Sequence, residues 1–220
     1  DNGTLTVNSI VATGTETTLN TSTAGSQIEP GIAYAADGSF VAVWRDSSGL
    51  DGDLAGVYGQ RFDADGNKVG GEFLVNTSTA NSQYDPLIAM DDAGNFVVVW
   101  THRTNGGSTE IYAQLFDATA TKVGGDFTVN TTSQFNQKLG DDAMNSSGQF
   151  VVSWYDNVPG DDEGVFVQLY DAAGNEVGSE TLVNTTLSDD QQFPGIAIDD
   201  AGNYVVVWQS NLQDGSSYGI

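Results

Sequence analysis

The side chains that could do chemistry in this chain gather in four segments that differ from one another, each directly after a tryptophan. The segments cover residues 45–56, 101–110, 155–164 and 209–218. Variable loops on a constant scaffold are where binding residues concentrate. Their amides, carboxylates and single histidine could hydrogen-bond a sugar or another displayed polymer. The predicted ligand-binding residues are Arg45, Asp46, His102, Arg103, Asn105, Tyr155, Asp156, Gln209 and Asn211.

Two of these segments are acidic enough to suggest a metal site. Ca²⁺ prefers hard carboxylate and carbonyl oxygens, about six to eight of them. The predicted calcium ligands are Asp51 and Asp53 in one segment and Asp161, Asp162 and Glu163 in the other. The alternative is a pair of solvated acidic loops, since the chain lacks a complete Asp-x-Asp-x-Asp-Gly pattern.

Catalysis finds little support in the residue types. The chain has one histidine, His102, and no cysteine, so a Ser–His–Asp triad would have to use that histidine. Two carboxylates can hydrolyse a glycosidic bond, but no spacing among the 30 Asp and Glu residues singles out a pair. We therefore expect no enzymatic activity and keep a polysaccharide hydrolase as an alternative function.

The segments recur because the chain is an internal repeat. Runs of one type, FVAVW, FVVVW, FVVSW and YVVVW, end at Trp44, Trp100, Trp154 and Trp208, in steps of 56, 54 and 54 residues. A fixed period of this length is typical of repeat architectures. We predict a single domain, 1–220, with an N-terminal segment at 1–19, full repeats at 20–75, 76–129 and 130–183, and a partial repeat at 184–220.

Each repeat is predicted to form four short β-strands. β-Branched and aromatic residues dominate four apolar runs, and Gly, Asp and Asn separate them. The first of these strands is predicted around Gly31–Ala35, Leu87–Met90 and Gly195–Ile198. The second run is apolar at nearly every position, which indicates burial on both faces. Its tryptophan is therefore predicted to pack between sheets, with a sugar-stacking surface as the alternative. Repeated four-stranded antiparallel sheets, covered on both faces, are blades of a β-propeller, so the predicted fold class is all-β.

The two ends of the chain predict how the ring closes. The last repeat stops at the start of its third strand, and residues 1–19 precede the first repeat. Strands from this segment would complete the last blade and remove exposed sheet edges, which favour aggregation. A four-bladed ring follows. The alternatives are a fragment of a longer array and a larger ring built from two chains.

Composition limits the partners. The formal net charge is −24, from 30 acidic and six basic residues, so phosphate groups would be repelled. We therefore expect no nucleic-acid partner and, without a bilayer-length apolar run, no membrane insertion. Cations such as Ca²⁺ and neutral ligands such as glycans are favoured. Because the chain has no cysteine, an exported form would be stabilised by packing or metal rather than by disulfides.

Several of the repeated runs resemble a known family. VVVWQS at residues 205–210, YAQLFD at 112–117 and FLVNT at 73–77 resemble tandem repeats of very large secreted bacterial exoproteins of the calcium-associated RTX and adhesin-like types. The resemblance implies secretion or cell-surface display, Ca²⁺, and other domains of the same polypeptide as partners. It implies no catalytic residues, and the Gly-Gly-x-Gly-x-Asp repeat of RTX chains is absent here.

Together these observations predict a secreted, non-catalytic binding or adhesion module that recognises a glycan or a cell-surface polymer through its variable loops. A structural repeat domain stabilised by Ca²⁺ is the alternative.

Overall fold

The computed structural model describes residues 17–132, 136–157, 163–186, 188–213 and 215–220. These residues form 15 β-strands in four antiparallel sheets, with no helix among them. The described part of the chain accordingly contains no helix that could cross a membrane.

The sheets take their strands in chain order. The first contains β1 (Gln27–Tyr34), β2 (Phe40–Asp46), β3 (Gly56–Phe62) and β4 (Lys68–Leu74). The second contains β5 (Gln83–Met90), β6 (Phe96–Arg103), β7 (Thr109–Phe116) and β8 (Lys122–Thr128). The third contains β9 (Lys138–Met144), β10 (Phe150–Asn157), β11 (Glu163–Tyr170) and β12 (Glu176–Leu182). The last contains β13 (Gln191–Ile198), β14 (Tyr204–Asn211) and β15 (Tyr218–Gly219).

The first strands of successive sheets pack side by side, β1 on β5, β5 on β9 and β9 on β13. Antiparallel four-stranded sheets arranged in this way are propeller blades, so the predicted fold class is confirmed. Among the described strands, β13 has no comparable packing against β1. The predicted closing strands fall mostly on residues 1–16, which lie outside the described residues.

Apolar layers between the blades hold the propeller together. In β6, Val97, Val98, Val99 and Trp100 are all fully buried, as the sequence predicted for this strand. Val98 and Trp100 pack toward the first blade, whereas Val97 and Val99 pack toward the third. Each buried valine contributes about 1.5–3 kcal/mol. The second strand of a blade therefore joins two interfaces at once.

The two outer faces of this arc are apolar and exposed. Ile32 in β1 is 51% exposed, and Val205 and Val207 in β14 are 62% and 54% exposed. The corresponding residues of the second blade, Ile88 and Val99, are buried against its neighbours. Within the described ranges, the ring is thus open between the last sheet and the first blade.

A buried asparagine follows the fourth strand of each of the first three blades. Asn76 is buried, its Oδ1 accepts the N–H of Val57 at 2.8 Å, and its Nδ2 donates to Gln83 Oε1 of the following blade at 3.1 Å. The bond to the third strand recurs between Asn130 and Ile111 and between Asn184 and Val165, both at 2.8 Å. The repeated asparagine therefore bonds the third strand of its own blade in all three blades, and at Asn76 it also bonds the following blade.

The inner strands begin earlier than the sequence predicted. The apolar runs placed them from Gly31, Leu87 and Gly195, but they begin at Gln27, Gln83 and Gln191, each four residues earlier. A β-bulge at an X-Pro pair accounts for the difference, because proline lacks the N–H that a regular ladder needs and is tolerated at bulges. The pairs are Glu29–Pro30, Asp85–Pro86 and Phe193–Pro194.

Candidate active site

The inner-strand bulges bring two carboxylates together. Glu29 and Asp85 occupy the same position in β1 and β5, and Glu29 Oε2 accepts the N–H of Asp85 at 2.9 Å. Both have left-handed backbone, with φ of 56° and 52°. Such a conformation costs a non-glycine residue about 1–3 kcal/mol. Phe193 in the equivalent bulge of β13 shares it, with φ of 51°, so the strain is a feature of the X-Pro bulge. The equivalent residues of β9 and β13 are Leu139 and Phe193.

The electrostatics of the two carboxyl groups differ. Arg45 Nη1 pairs with Glu29 Oε1 at 3.1 Å, and both side chains are partly exposed. Burial, and next the negative charge of Glu29, raises the pKa of Asp85 above its ordinary value, although Arg45 opposes the rise. Neighbouring carboxyl groups in different environments can divide into a proton donor and an ionised partner. Asp85, whose pKa is raised, fits the donor.

Two cavities adjoin this pair on the side of the β2–β3 and β6–β7 loops. A smaller one of about 250 Å³ lies between the bulges and reaches Glu29, Asp85 and Leu139. A larger one of about 530 Å³ is lined by Asp85 together with side chains of the second, third and last sheets. Its volume is in the range of ligand pockets, and Asp85 is one of the residues that line it.

Aromatic rings line the larger cavity. Tyr155 and Phe193 lie with ring centroids 5.3 Å apart, and Phe193 is 62% exposed. Lys138 Nζ lies 5.1 Å from the Tyr155 centroid, and the Arg45 guanidinium lies 5.7 Å from the centroid of Tyr84. Apolar ring faces with a few fixed polar groups are the usual lining of a small-molecule site.

The structure brings some of the predicted ligand-binding residues to this place. Arg103 and Tyr155 line the larger cavity, and Arg45 lies at the carboxylate pair. Asn105 is exposed and accepts a hydrogen bond from Asn81 at 3.0 Å. Gln209 and Asn211 are half-buried on β14, outside the lining of both cavities.

Three predicted ligand-binding residues lie inside the blades instead. Asp46, His102 and Asp156 are 2%, 8% and 3% exposed. Each contacts the repeated glutamine at the start of its inner strand or just before it, at 3.0 Å from Gln27 to Asp46, 3.1 Å from Gln83 to His102 and 2.7 Å from Gln137 to Asp156. These three residues lie beside the loops, as the sequence indicated. Their burial and these bonds give them a structural role.

The predicted calcium ligands are dispersed in the structure. Asp51 Oδ1 accepts the N–H of Asp53 at 3.2 Å, and Asp53 Oδ2 accepts the N–H of Asn81 at 2.7 Å. Glu163 is bonded by Lys138 and Gln192. Asp161 and Asp162 lie outside the described residues, and within the described ranges no group of three or more His, Asp and Glu side chains could hold a metal. Calcium binding stays a prediction, which a thermal melt with Ca²⁺ and with a chelator tests.

Sequence reasoning missed Glu29 and Asp85, although a signal was present. Three of the four repeats have an X-Pro pair at this position, and only the first two have an acid before the proline. Spacing along the chain does not single out this pair. The two residues meet because equivalent positions of adjacent repeats lie side by side.

No protein-family model and no curated protein matches the sequence. Solved structures do match. An endo-arabinase from Bacteroides thetaiotaomicron is 15% identical, with a TM-score of 0.51 over 86% of this chain and 71% of that one. An α-L-arabinanase from Penicillium chrysogenum, solved with arabinobiose, is 15% identical, with a TM-score of 0.57 over 87% of this chain and 60% of that one. A thermostable family-43 glycoside hydrolase is 13% identical, with a TM-score of 0.53 over 87% and 68%.

These neighbours share the propeller fold with this chain, and they correct the sequence-based expectation of its function. Both the non-catalytic binding or adhesion module and the absence of enzymatic activity are contradicted, because the matching propellers are glycoside hydrolases. The polysaccharide hydrolase, kept as an alternative, agrees better with these findings.

Proposed function

We propose that this chain is a glycoside hydrolase that cleaves a polysaccharide at the Glu29–Asp85 pair. The observation that carries the proposal is the position of these two carboxyl groups, on adjacent strained bulges at the wall of a cavity. Hydrolysis of a glycosidic bond needs two such groups on either side of the scissile bond. The fold shared with arabinanases supports this reaction class.

The two carboxyl groups take different roles in this proposal. Asp85, whose raised pKa keeps it protonated to higher pH than an ordinary aspartate, donates a proton to the leaving glycosidic oxygen. Glu29, which pairs with Arg45, acts at the anomeric carbon, either directly or through a water molecule. The rings of Tyr155 and Phe193 hold a sugar beside the pair.

The substrate in this proposal is an extracellular glycan or cell-surface polymer, and the enzyme is secreted. The resemblance of the repeats to secreted exoproteins supports export. Arabinan is the first polymer to test, because arabinanases are among the structural neighbours.

The proposal is tested by incubating the full chain with arabinan and a panel of plant and bacterial polysaccharides and measuring the reducing ends released. We expect the wild type to release sugar from at least one polymer, and Glu29→Gln to lose about 100-fold or more of that rate. Asp65→Asn, in an exposed turn, is the matched control and keeps its rate. No release of sugar from any polymer, or equal rates for the wild type and Glu29→Gln, would contradict the proposal.

A further inference from the structure

We propose that the 530 Å³ cavity beside Asp85 binds a negatively charged sugar unit, carrying a carboxylate or a sulfate, and that Arg103 selects it. The inference rests on the proposed function for its link to hydrolysis. The inference adds the substrate class to the proposed function, because hydrolysis of a glycosidic bond requires no charge on the sugar.

The basic residues of the chain are concentrated at this cavity. Only six Lys and Arg residues stand against 30 acids. Arg103 and Lys138 line the cavity, and Arg45 lies over the ring of Tyr84, which also lines it. Half of the basic residues therefore lie at one cavity of a strongly acidic protein. Arg45 and Lys138 are paired with acids, so Arg103 supplies the positive charge that can attract an anionic group there.

Arg103 is the basic residue that remains open to a ligand. Arg45 pairs with Glu29 and Lys138 with Glu163, and these are the ion pairs formed within the described part of the chain. Arg103 is exposed. Its planar guanidinium can bond two oxygens of one carboxylate or sulfate at the same time.

The position of Arg103 relative to the cavity wall supports this role. Burial, and next the charge of Asp85, raises the pKa of Tyr84, and the positive charge of Arg103 opposes the rise. The guanidinium thus acts on the same wall as the Asp85 carboxyl. A ligand anion bound to Arg103 would lie within the same cavity as the proposed proton donor.

The apolar part of the cavity wall suits the ring of a sugar. Tyr155 and Phe193 both line the cavity, with ring centroids 5.3 Å apart. Apolar ring faces beside a few fixed polar groups are the usual lining of a small-molecule site.

Matched polymers test the inference by binding, with hydrolysis prevented by the Glu29→Gln change. Polygalacturonate is compared with its neutral methyl ester, and dextran sulfate with dextran, by titration calorimetry at low salt. We expect at least one anionic polymer to bind on the order of 10-fold more tightly than its neutral partner, and the two pairs distinguish carboxylate from sulfate. Adding Arg103→Ala removes this preference and Arg103→Lys keeps part of it, whereas Arg61→Ala, on β3 away from the cavity, leaves it unchanged.

Equal affinity for charged and neutral polymers, binding of neither, or equal losses in the Arg103→Ala and Arg61→Ala proteins would overturn the inference. Its failure is distinguishable from failure of the proposed hydrolase. Anion-selective binding without hydrolysis by the wild type would leave the inference standing alone, whereas hydrolysis with no effect of Arg103→Ala would leave the hydrolase standing alone.

Discussion

One inner-strand carboxyl group sets the third blade apart from the others. Asp142 in β9 stands where β1, β5 and β13 have Ile32, Ile88 and Ile196. Its Oδ2 is buried and has no hydrogen-bond partner in the described structure. Burial, and next the charge of Asp141, raises the pKa of Asp142 to about 8, so the carboxyl group is mostly neutral at pH 7.

This carboxyl group predicts a pH-dependent stability that Asp142→Ile removes. In the unfolded chain the pKa returns toward 3.8, so the stabilisation from the neutral form is complete below that pH and is lost as the pH rises to about 8. The free energy of unfolding therefore falls by up to about 1.4 kcal/mol per pH unit in this window. Urea unfolding at several pH values measures the effect.

The control for this experiment is Asp65→Asn in an exposed turn, which removes an equal charge. We expect the stability advantage of Asp142→Ile over the wild type to grow from pH 4 to pH 8, and that of Asp65→Asn to change little. Parallel curves for the wild type and Asp142→Ile would show that the carboxyl group is ionised or bonded in the folded protein.

Residue types revealed one part of the candidate site and concealed the other. Arg103 and Tyr155 could be found because they lie in segments where the repeats differ. Glu29 and Asp85 are 56 positions apart, and their meeting depends on packing between blades, which linear spacing does not reveal. Placing the repeats in register, position by position, would have found them.

The connecting asparagine is the feature of the β-strand repeat most open to test. We expect Asn76→Ala to lower the free energy of unfolding by about 1–3 kcal/mol, because it leaves the buried N–H of Val57 without its partner. The change also removes the bond to Gln83 in the next blade. Chemical denaturation measures the loss. Asn67→Ala, in an exposed turn, is the control and should cost less; equal losses would rule out the connecting role.

The strands themselves were largely predictable, and their boundaries were not. The second strands of the first three blades are buried on both faces, as continuous apolar runs require. The inner strands were predicted too short because each X-Pro pair resembles the end of a strand. Pairing resumes beyond the bulge, at Gly31, Leu87 and Gly195, which only the partner strand can show.

At the scale of the whole molecule, the exposure of the β14 face distinguishes two arrangements of the blades, an open arc and a closed ring that covers this face. Val99 and Val207 occupy equivalent positions, but Val99 is 0% exposed and Val207 is 54% exposed. We expect Val99→Asp to cost more than about 4 kcal/mol, because it buries a charge. Val207→Asp should cost less than about 1 kcal/mol. Thermal unfolding of both variants provides the comparison, and a similar large loss in both would mean that the β14 face is covered.

The central claim, hydrolysis at the Glu29–Asp85 pair, is tested most directly by the dependence of Asp85→Asn on the leaving group. Initial rates are measured for the wild type and the variant on two substrates. One is an oligosaccharide that the wild type cleaves, and the other is an aryl glycoside of the same sugar, whose leaving group needs little protonation. We predict a loss of about 100-fold or more on the oligosaccharide and a much smaller loss on the aryl glycoside. Unchanged rates on both substrates, or equal losses on both, would contradict the assignment of Asp85 as the proton donor.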